Sequence, residues 1–200
     1  MSPDLVTSAA QPVPPAPTAA LDALRARLPD HLRDLRLNLA VVTGASGLTP
    51  RQHWGTALAA ALAARNPEVV RAIASAAAPH LDEAARRAAE TAASLMAMNN
   101  VYYRFLHFVG DAAAGAAHPY QGMPARLRMQ AIANPGVDHL DFELWCLAVS
   151  AVNGCGACVV SHEKVVRDKG ATTAMVQDAV RIAAVVHALA ASLDGVAALA

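Results

Sequence analysis

Three residues in the last third of the chain have the types and the spacing that thiol redox chemistry requires. They are Cys155, Cys158 and His162, in the segment Asn-Gly-Cys-Gly-Ala-Cys-Val-Val-Ser-His. On a helix, side chains three and four positions apart lie on neighbouring turns of one face. The two thiols can therefore form a disulfide, and the imidazole can accept a thiol proton or stabilise a thiolate. This spacing predicts a dithiol that cycles to a disulfide.

The residues before this segment indicate that the thiols are activated. Asn153 and Gly154 break the preceding helix, so the cysteines begin a new one, where free backbone N–H groups and the helix dipole stabilise a thiolate. We therefore expect these thiols to ionise more readily than an ordinary cysteine. Glu143 is a carboxylate in an otherwise apolar helix upstream. It is the candidate to hold and polarise the imidazole of His162.

The same side chains also suit zinc, which is the main alternative. Cys155, Cys158 and His162 are three ligands, and a closed structural site needs a fourth, which Cys146 or Glu143 could supply. Ligands at positions i, i+3 and i+7 of one helix converge poorly on an ion, so the spacing favours redox chemistry over a metal-binding or scaffold role. We interpret Cys146 as a small buried hydrophobe, and we predict no bound metal.

Composition indicates an all-α protein that associates with itself. The 200 residues have no formal net charge, 55% are hydrophobic and only 16% are charged. Alanine is the commonest residue, and Leu, Arg and Glu are also frequent, which favours helices. Because clustered Lys and Arg are absent, nucleic acid and anionic membranes are not expected partners. The low charge predicts that part of the surface is covered by other copies of the chain.

The cysteine distribution and the first residues predict a cytoplasmic protein. The three cysteines lie close together, unlike the distributed pattern of a secreted disulfide-rich domain. Residues 1–20 contain no Lys or Arg and several prolines, so we interpret them as a disordered Pro/Ala-rich tail and not a signal peptide. Residues 144–162 carry no charge, but Asn153 and two glycines interrupt them. We interpret this stretch as buried core and expect no membrane span.

Helix start and stop signals divide the rest of the chain. The clearest is Thr49-Pro50 with Gln52, an N-cap, a proline at the first helical position and a capping-box residue. One predicted helix carries a cluster of Met and aromatic side chains around Met96 and Tyr103, which we interpret as core or subunit contact. Helices are predicted over residues 21–28, 30–42, 50–65, 67–78, 82–108, 124–133, 139–152, 155–169 and 172–193, with a loop over 110–123.

A weak internal repeat divides the predicted domain, residues 21–200, into two halves. Trp54 and Trp145 are 91 positions apart, and the same shift superimposes several alanines and valines and the order of the helices. The halves would span about 21–113 and 124–193. Only the second contains the cysteine pair.

The segment FELWCLAVSAVNGCGACVVSHE resembles the active-site signature of the alkyl hydroperoxidase D family, AhpD, in the carboxymuconolactone decarboxylase-like superfamily. The segments HLRDLRLNLAVV, LTPRQHWGTALAAALAARNPEVV, MAMNNVYYRF and LRMQAIANPGVD also resemble AhpD, so the likeness covers about residues 21–193. It implies an all-helical fold with two related halves and a homotrimer.

The resemblance also implies an activity and partners. AhpD proteins are antioxidant thiol oxidoreductases that reduce a partner peroxiredoxin, AhpC, and have alkyl hydroperoxide reductase activity of their own. Their electrons come from dihydrolipoamide on a lipoylated 2-oxoacid dehydrogenase component, and no cofactor is bound. Another activity in the superfamily, carboxymuconolactone decarboxylase-like proton chemistry without a cysteine pair, is the alternative.

Roles for single residues follow from the same resemblance. Cys158 would be the nucleophile that becomes a sulfenic acid, and Cys155 would be the resolving thiol and proton donor. His162 and Glu143 would form the relay that deprotonates Cys158. The family example with the best-known site has a histidine immediately before its second cysteine, whereas this chain has Ala157. An auxiliary relay through that histidine is therefore absent.

Overall fold

The computed structural model describes residues 17–113 and 117–199, and every regular element within them is helical. The predicted all-α class is therefore confirmed. In chain order the elements are α1 (Ala19–Ala26), a 3₁₀ turn (Asp30–Leu32), α2 (Arg33–Asn38), α3 (Ala40–Thr43), α4 (Pro50–Ala64), α5 (Pro67–Ala77), α6 (Glu83–Ala112), α7 (Gln130–Ala133), α8 (His139–Val152), α9 (Gly156–Asp168) and α10 (Thr173–Ala197).

Helices α4 and α8 form the centre of the fold, where they pack against each other and against α6 and α10. Residues 52–61 of α4 and 141–150 of α8 are all buried. Close approach depends on Gly55, because any side chain there would overlap the indole ring of Trp145. The indole Nε1–H donates to the backbone carbonyl of Gln52 at 3.3 Å. The site helices α8 and α9 are thus supported by a rigid core.

Most helix starts lie where the sequence predicts them. Thr49 and Gln52 form a reciprocal capping box at the start of α4. Asp82 and Asp138 accept backbone N–H groups at the starts of α6 and α8, and Thr172 does the same for α10. Each cap satisfies donors that would otherwise lack an intrahelical partner. These local signals fix the starts of the longest helices.

Several predicted boundaries differ from the structure, including those of α1, which spans Ala19–Ala26 and not 21–28. The segment 30–42 is divided into three short pieces, since the helical ladder is interrupted at Leu32, with a ψ of 29°, and at Leu39, with a flattened ψ of −19°. Helix α6 continues through Gly110 to Ala112, so the predicted loop begins too early. Of the predicted helix 124–133 only α7 forms, because Arg126 has a left-handed φ of 51°. Helix α10 runs one turn beyond its predicted end.

Two sequence predictions concern the ends and the symmetry of the chain. Residues 1–16 of the predicted tail lie outside the described residues, and α1 begins at Ala19, within the remainder. The internal repeat and its halves stay a prediction.

Among the described residues, α10 is long and apolar enough to cross a membrane by length and composition. It packs against α4 and α8 and buries side chains that include Ile182, Val186 and Leu189.

Candidate active site

A sharp turn between α8 and α9 places the two reactive cysteines at a helix start. Asn153 ends α8, and Gly154 has a φ of 68°, a left-handed conformation that glycine adopts without steric strain. Cys155 is then the N-cap of α9, and its sulfur accepts the backbone N–H of Cys158 at 3.4 Å. The helix start therefore stabilises negative charge on this sulfur once the thiol is free.

Cys155 and Cys158 are joined in a disulfide, with their Cα atoms 5.3 Å apart. The two sulfurs differ in their access to the surroundings. Cys155 is fully buried, whereas Cys158 is 6% exposed and lines a cavity of about 300 Å³. An incoming molecule in this cavity meets Cys158 and not Cys155.

Glu143 and His162 form a buried pair beside the cysteines. Glu143 comes from α8 and His162 from α9, one turn after Cys158, and Nδ1 of the imidazole lies 2.6 Å from Oε2 of the carboxylate. The other ring nitrogen, Nε2, lies 3.2 Å from the sulfur of Met96 on α6. When Nδ1–H donates to the carboxylate in the neutral ring, Nε2 is the nitrogen left to accept a proton.

The cavity beside Cys158 has mostly apolar walls built from four parts of the chain. The α6 face contributes side chains at i, i+3 and i+7, and the other walls come from α9, from Met129 and Ile132 at α7, and from Glu143 of α8. The lining residues are Met96, Asn99, Tyr103, Met129, Ile132, Glu143, Ala157, Cys158, Ser161, His162 and Val165. A cavity of about 300 Å³ has room for a small organic molecule.

All four candidate residues from the sequence, Glu143, Cys155, Cys158 and His162, come together at this site. The contribution of α6 was missed, since Met96 and Tyr103 were interpreted as core or subunit contact. Met96 is indeed buried, at 1% exposure, but it also contacts His162. The helical spacing of Met96, Asn99 and Tyr103, with a polar residue in the middle of an apolar stripe, is the signal that could have identified this face.

A buried polar network ties α6 to the turn that carries the cysteines. Asn100 donates to Ser150 Oγ at 3.0 Å and accepts from Asn153 Nδ2 at 2.9 Å. Arg104 donates to the backbone carbonyl of Asn153 at 2.7 Å. Because these bonds hold the end of α8, they position the turn that leads to the helix start at Cys155.

The third cysteine has no part in this arrangement. Cys146 is a free thiol with no exposed surface, as the interpretation of a small buried hydrophobe requires. Burial, and secondarily the charge of Glu143, raise the pKa of the Cys146 thiol well above its ordinary value. It is therefore held in the unreactive thiol form.

The zinc alternative finds no support in the geometry. Within residues 17–113 and 117–199, no group of three or more His, Cys, Asp or Glu side chains is arranged to hold a metal ion. In this structure the sulfurs of Cys155 and Cys158 are bonded to each other, and Glu143 is hydrogen-bonded to His162. The arrangement is that of a thiol–disulfide centre with an acid–base pair.

Comparisons with known proteins define the class and then the family. Residues 118–200, which contain the cysteine pair, match the carboxymuconolactone decarboxylase family. The alkyl hydroperoxide reductase AhpD of Rhodospirillum centenum is 56% identical over 180 residues, 90% of this chain and 94% of that protein. The AhpD proteins of Gluconacetobacter diazotrophicus and Frankia alni are each 53% identical, over 90% and 86% of this chain and 96% and 89% of their own lengths. The chain belongs to the AhpD family.

Proposed function

We propose that this protein is an alkyl hydroperoxide reductase that works by cycling Cys155 and Cys158 between dithiol and disulfide. The observation that carries the proposal is the position of Cys158, which faces an apolar cavity next to the Glu143–His162 pair. The names of its AhpD relatives support the same activity. The apolar walls suit the organic part of an alkyl hydroperoxide.

The reaction begins on the reduced enzyme. His162, oriented by Glu143, takes the proton of Cys158, and the thiolate attacks the terminal oxygen of the hydroperoxide. The sulfur–oxygen bond forms as the oxygen–oxygen bond breaks, so Cys158 becomes a sulfenic acid and the alkoxide leaves as an alcohol after it takes a proton. Cys155 then attacks the sulfenic sulfur, which forms the disulfide and releases water.

The contacts of His162 are consistent with this sequence. In the disulfide state Cys158 carries no proton, and Nε2 of the imidazole lies against Met96 instead. After reduction, the proton of Cys158 is accepted by this nitrogen directly or through one water. Ala157, which stands where the family example has a further histidine, lines the same cavity and cannot exchange a proton. His162 is therefore the imidazole that serves this relay.

The oxidised pair must be reduced for a second turnover. We propose dihydrolipoamide as the donor: its two thiols become lipoamide disulfide as Cys155 and Cys158 return to the dithiol. The physiological source would be a lipoylated 2-oxoacid dehydrogenase component, and a second acceptor of these electrons would be the peroxiredoxin AhpC. The proposed setting is the cytoplasm.

A homotrimer is the proposed assembly. The last turns of α6 carry large exposed apolar side chains, Val101, Phe105 and Phe108, and Tyr120 and Met123 in the following segment are also exposed. Exposed apolar side chains grouped in this way support self-association, because such groups on soluble proteins often mark interaction surfaces. Analytical ultracentrifugation tests the assembly.

The test of the function is turnover with dihydrolipoamide and cumene hydroperoxide, followed by the appearance of cumyl alcohol. The wild type and a Cys146→Ala control should turn over, and Cys158→Ser should not. Cys155→Ser should accumulate a sulfenic acid at Cys158 that dimedone traps. Unchanged turnover in Cys158→Ser would rule out the proposed mechanism. Activity on a lactone acid that survives loss of both cysteines would instead favour the decarboxylase alternative.

A further inference from the structure

Asn99 occupies a buried position on the cavity wall with part of its hydrogen-bonding capacity unused. It lies in the middle of α6, is 3% exposed and lines the cavity together with Cys158 and His162. Its side-chain carbonyl oxygen, Oδ1, is shielded from solvent and has no hydrogen-bond partner in the described part of the chain. Buried side-chain amides are normally bonded, so this oxygen needs an explanation.

The next residue provides a direct comparison. Asn100 is equally buried on the same helix, and its amide is bonded on both sides, to Ser150 and to Asn153. Asn100 therefore has a structural role, whereas the carbonyl oxygen of Asn99 has no such partner in the described part of the chain. Leaving the Oδ1 atom unbonded costs free energy, which is recovered in any state that supplies a hydrogen-bond donor.

Because Oδ1 is shielded in this rotamer, the amide must turn about χ2, a soft torsion in asparagine, to present this oxygen to a donor that arrives through the cavity. The other buried polar groups of its wall are already paired, since Glu143 and His162 bind each other. The Tyr103 hydroxyl lies 3.8 Å from the sulfur of Met129. Asn99 is thus the buried amide that remains to bind the polar end of a molecule held among apolar walls.

We propose that Asn99 binds the –OOH group of the hydroperoxide and orients it toward Cys158. This inference rests on the proposed hydroperoxide reduction. Oδ1 accepts the O–H of the terminal oxygen, which is the atom that the thiolate attacks. The amide N–H donates to the inner oxygen, where negative charge develops as the oxygen–oxygen bond breaks and the alkoxide leaves. Asn99 would be a catalytic residue in addition to the Cys, His and Glu set.

The test compares two reactions of Cys158 in the reduced Asn99→Leu variant, which keeps the side-chain size and removes the amide. Oxidation by cumene hydroperoxide needs the oriented –OOH group, whereas alkylation by iodoacetamide needs only the thiolate. We expect the second-order rate of oxidation to fall about 100- to 1000-fold, in the range found when one such donor is removed. The alkylation rate should stay within about twofold.

Thermal stability separates this role from a structural one. Asn99→Leu should leave the Tm unchanged or raise it, because an unbonded buried carbonyl is removed. The matched control Asn100→Leu should lower the Tm, because Ser150 and Asn153 lose their partner. If Asn99→Leu does not fold, Asn99→Ser, which shortens the polar group, is measured in the same way and should also slow oxidation selectively.

Two results would overturn the inference. One is an unchanged oxidation rate in the variant, and the other is an equal fall in oxidation and alkylation, which would indicate a general disturbance of Cys158. A wild-type protein that cumene hydroperoxide does not oxidise would refute the proposed function itself, and the inference with it. The measurement on the wild type therefore distinguishes failure of the inference about Asn99 from failure of the proposed function.

Discussion

Glu143 Oε2 and His162 Nδ1 lie 2.6 Å apart, and both side chains are almost completely buried. The carboxylate comes from the most buried helix of the fold and the imidazole from the helix that begins at the cysteines. A buried pair at this distance fixes the ring orientation and directs the other nitrogen, Nε2, away from α8. Thiol deprotonation next to His162 creates an imidazolium, and the charge of Glu143 is placed to stabilise it.

Replacing this carboxylate should slow the ionisation of the nucleophile. We expect Glu143→Gln to reduce the rate of Cys158 alkylation by iodoacetamide about 10- to 100-fold at neutral pH, because a charge-assisted hydrogen bond is lost. Met96→Leu, which changes the partner of Nε2 at nearly constant volume, should have a smaller effect because a thioether is a weak acceptor. An equal or larger effect of Met96→Leu would contradict this assignment.

The contact of α4 with α8 should tolerate no side chain at Gly55. We expect Gly55→Ala to lower the free energy of unfolding by at least about 1–3 kcal/mol, since the added methyl group would overlap the ring of Trp145. Urea unfolding measures the change. Gly195→Ala in α10 is the matched control, because no atom lies near the added methyl group. It should stabilise the protein by about 0.5–1 kcal/mol, and a similar loss in both variants would argue against the packing explanation.

Asp141 should make the protein less stable as the pH rises through its titration. Burial raises the pKa of the Asp141 carboxyl, and the charge of Asp138 raises it further, while Gln52 and Arg51 oppose the shift. A raised folded-state pKa contributes stability that is complete below the unfolded value, about 3.9, and is lost at higher pH. Relative to the wild type, Asp141→Asn should therefore gain Tm between about pH 3 and pH 7.

Asp82, which like Asp141 is influenced by Arg51, provides a control whose effect on stability should change with pH in the opposite direction. The backbone N–H of Ala85 and the side chain of Arg51 lower the pKa of the Asp82 carboxyl. The stability that the Asp82 carboxylate contributes is present above the pKa of the unfolded state and is lost as the pH falls through the pKa of the folded state. Asp82→Asn should therefore lose Tm relative to the wild type over the same pH increase. Parallel pH profiles for the two variants would disprove both assignments.

Cys146 should not react in the folded protein. Because burial raises the pKa of its thiol, iodoacetamide should modify the reduced native protein at Cys158 first and leave Cys146 unlabelled. Labelling of Cys146 should appear only after unfolding in guanidinium chloride. Peptide mass spectrometry of native and unfolded samples measures this, and rapid native labelling at Cys146 would show that the core opens there.

The features that the sequence predicts correctly are those set by neighbouring residues. Capping residues such as Thr49, Asp138 and Thr172 identify helix starts because they act within one turn. The spacing of Cys155, Cys158 and His162 is likewise a property of a single helix. Glu143 could be proposed as their partner because a carboxylate in an apolar helix requires one.

The features that the sequence does not reveal depend on how distant helices pack. The pairing of α6 with α9 brings Met96 and Asn99 to the cavity; helical spacing groups these residues on one face of α6 but does not say which helix that face meets. The left-handed backbone at Arg126 shortens the expected helix to α7, although arginine itself favours helices.

The disulfide joins residues only three positions apart at the first turn of α9. Closing so small a loop removes little entropy from the unfolded chain, about 2 kcal/mol. The N-cap contact of the Cys155 sulfur and the bonds of Asn100 and Arg104 to the preceding turn do not depend on the sulfur–sulfur bond, so we expect them to persist when it opens. Electron transfer at this centre therefore alters the covalent structure while the scaffold stays unchanged, so the oxidised and reduced proteins should present their partners with nearly the same surface.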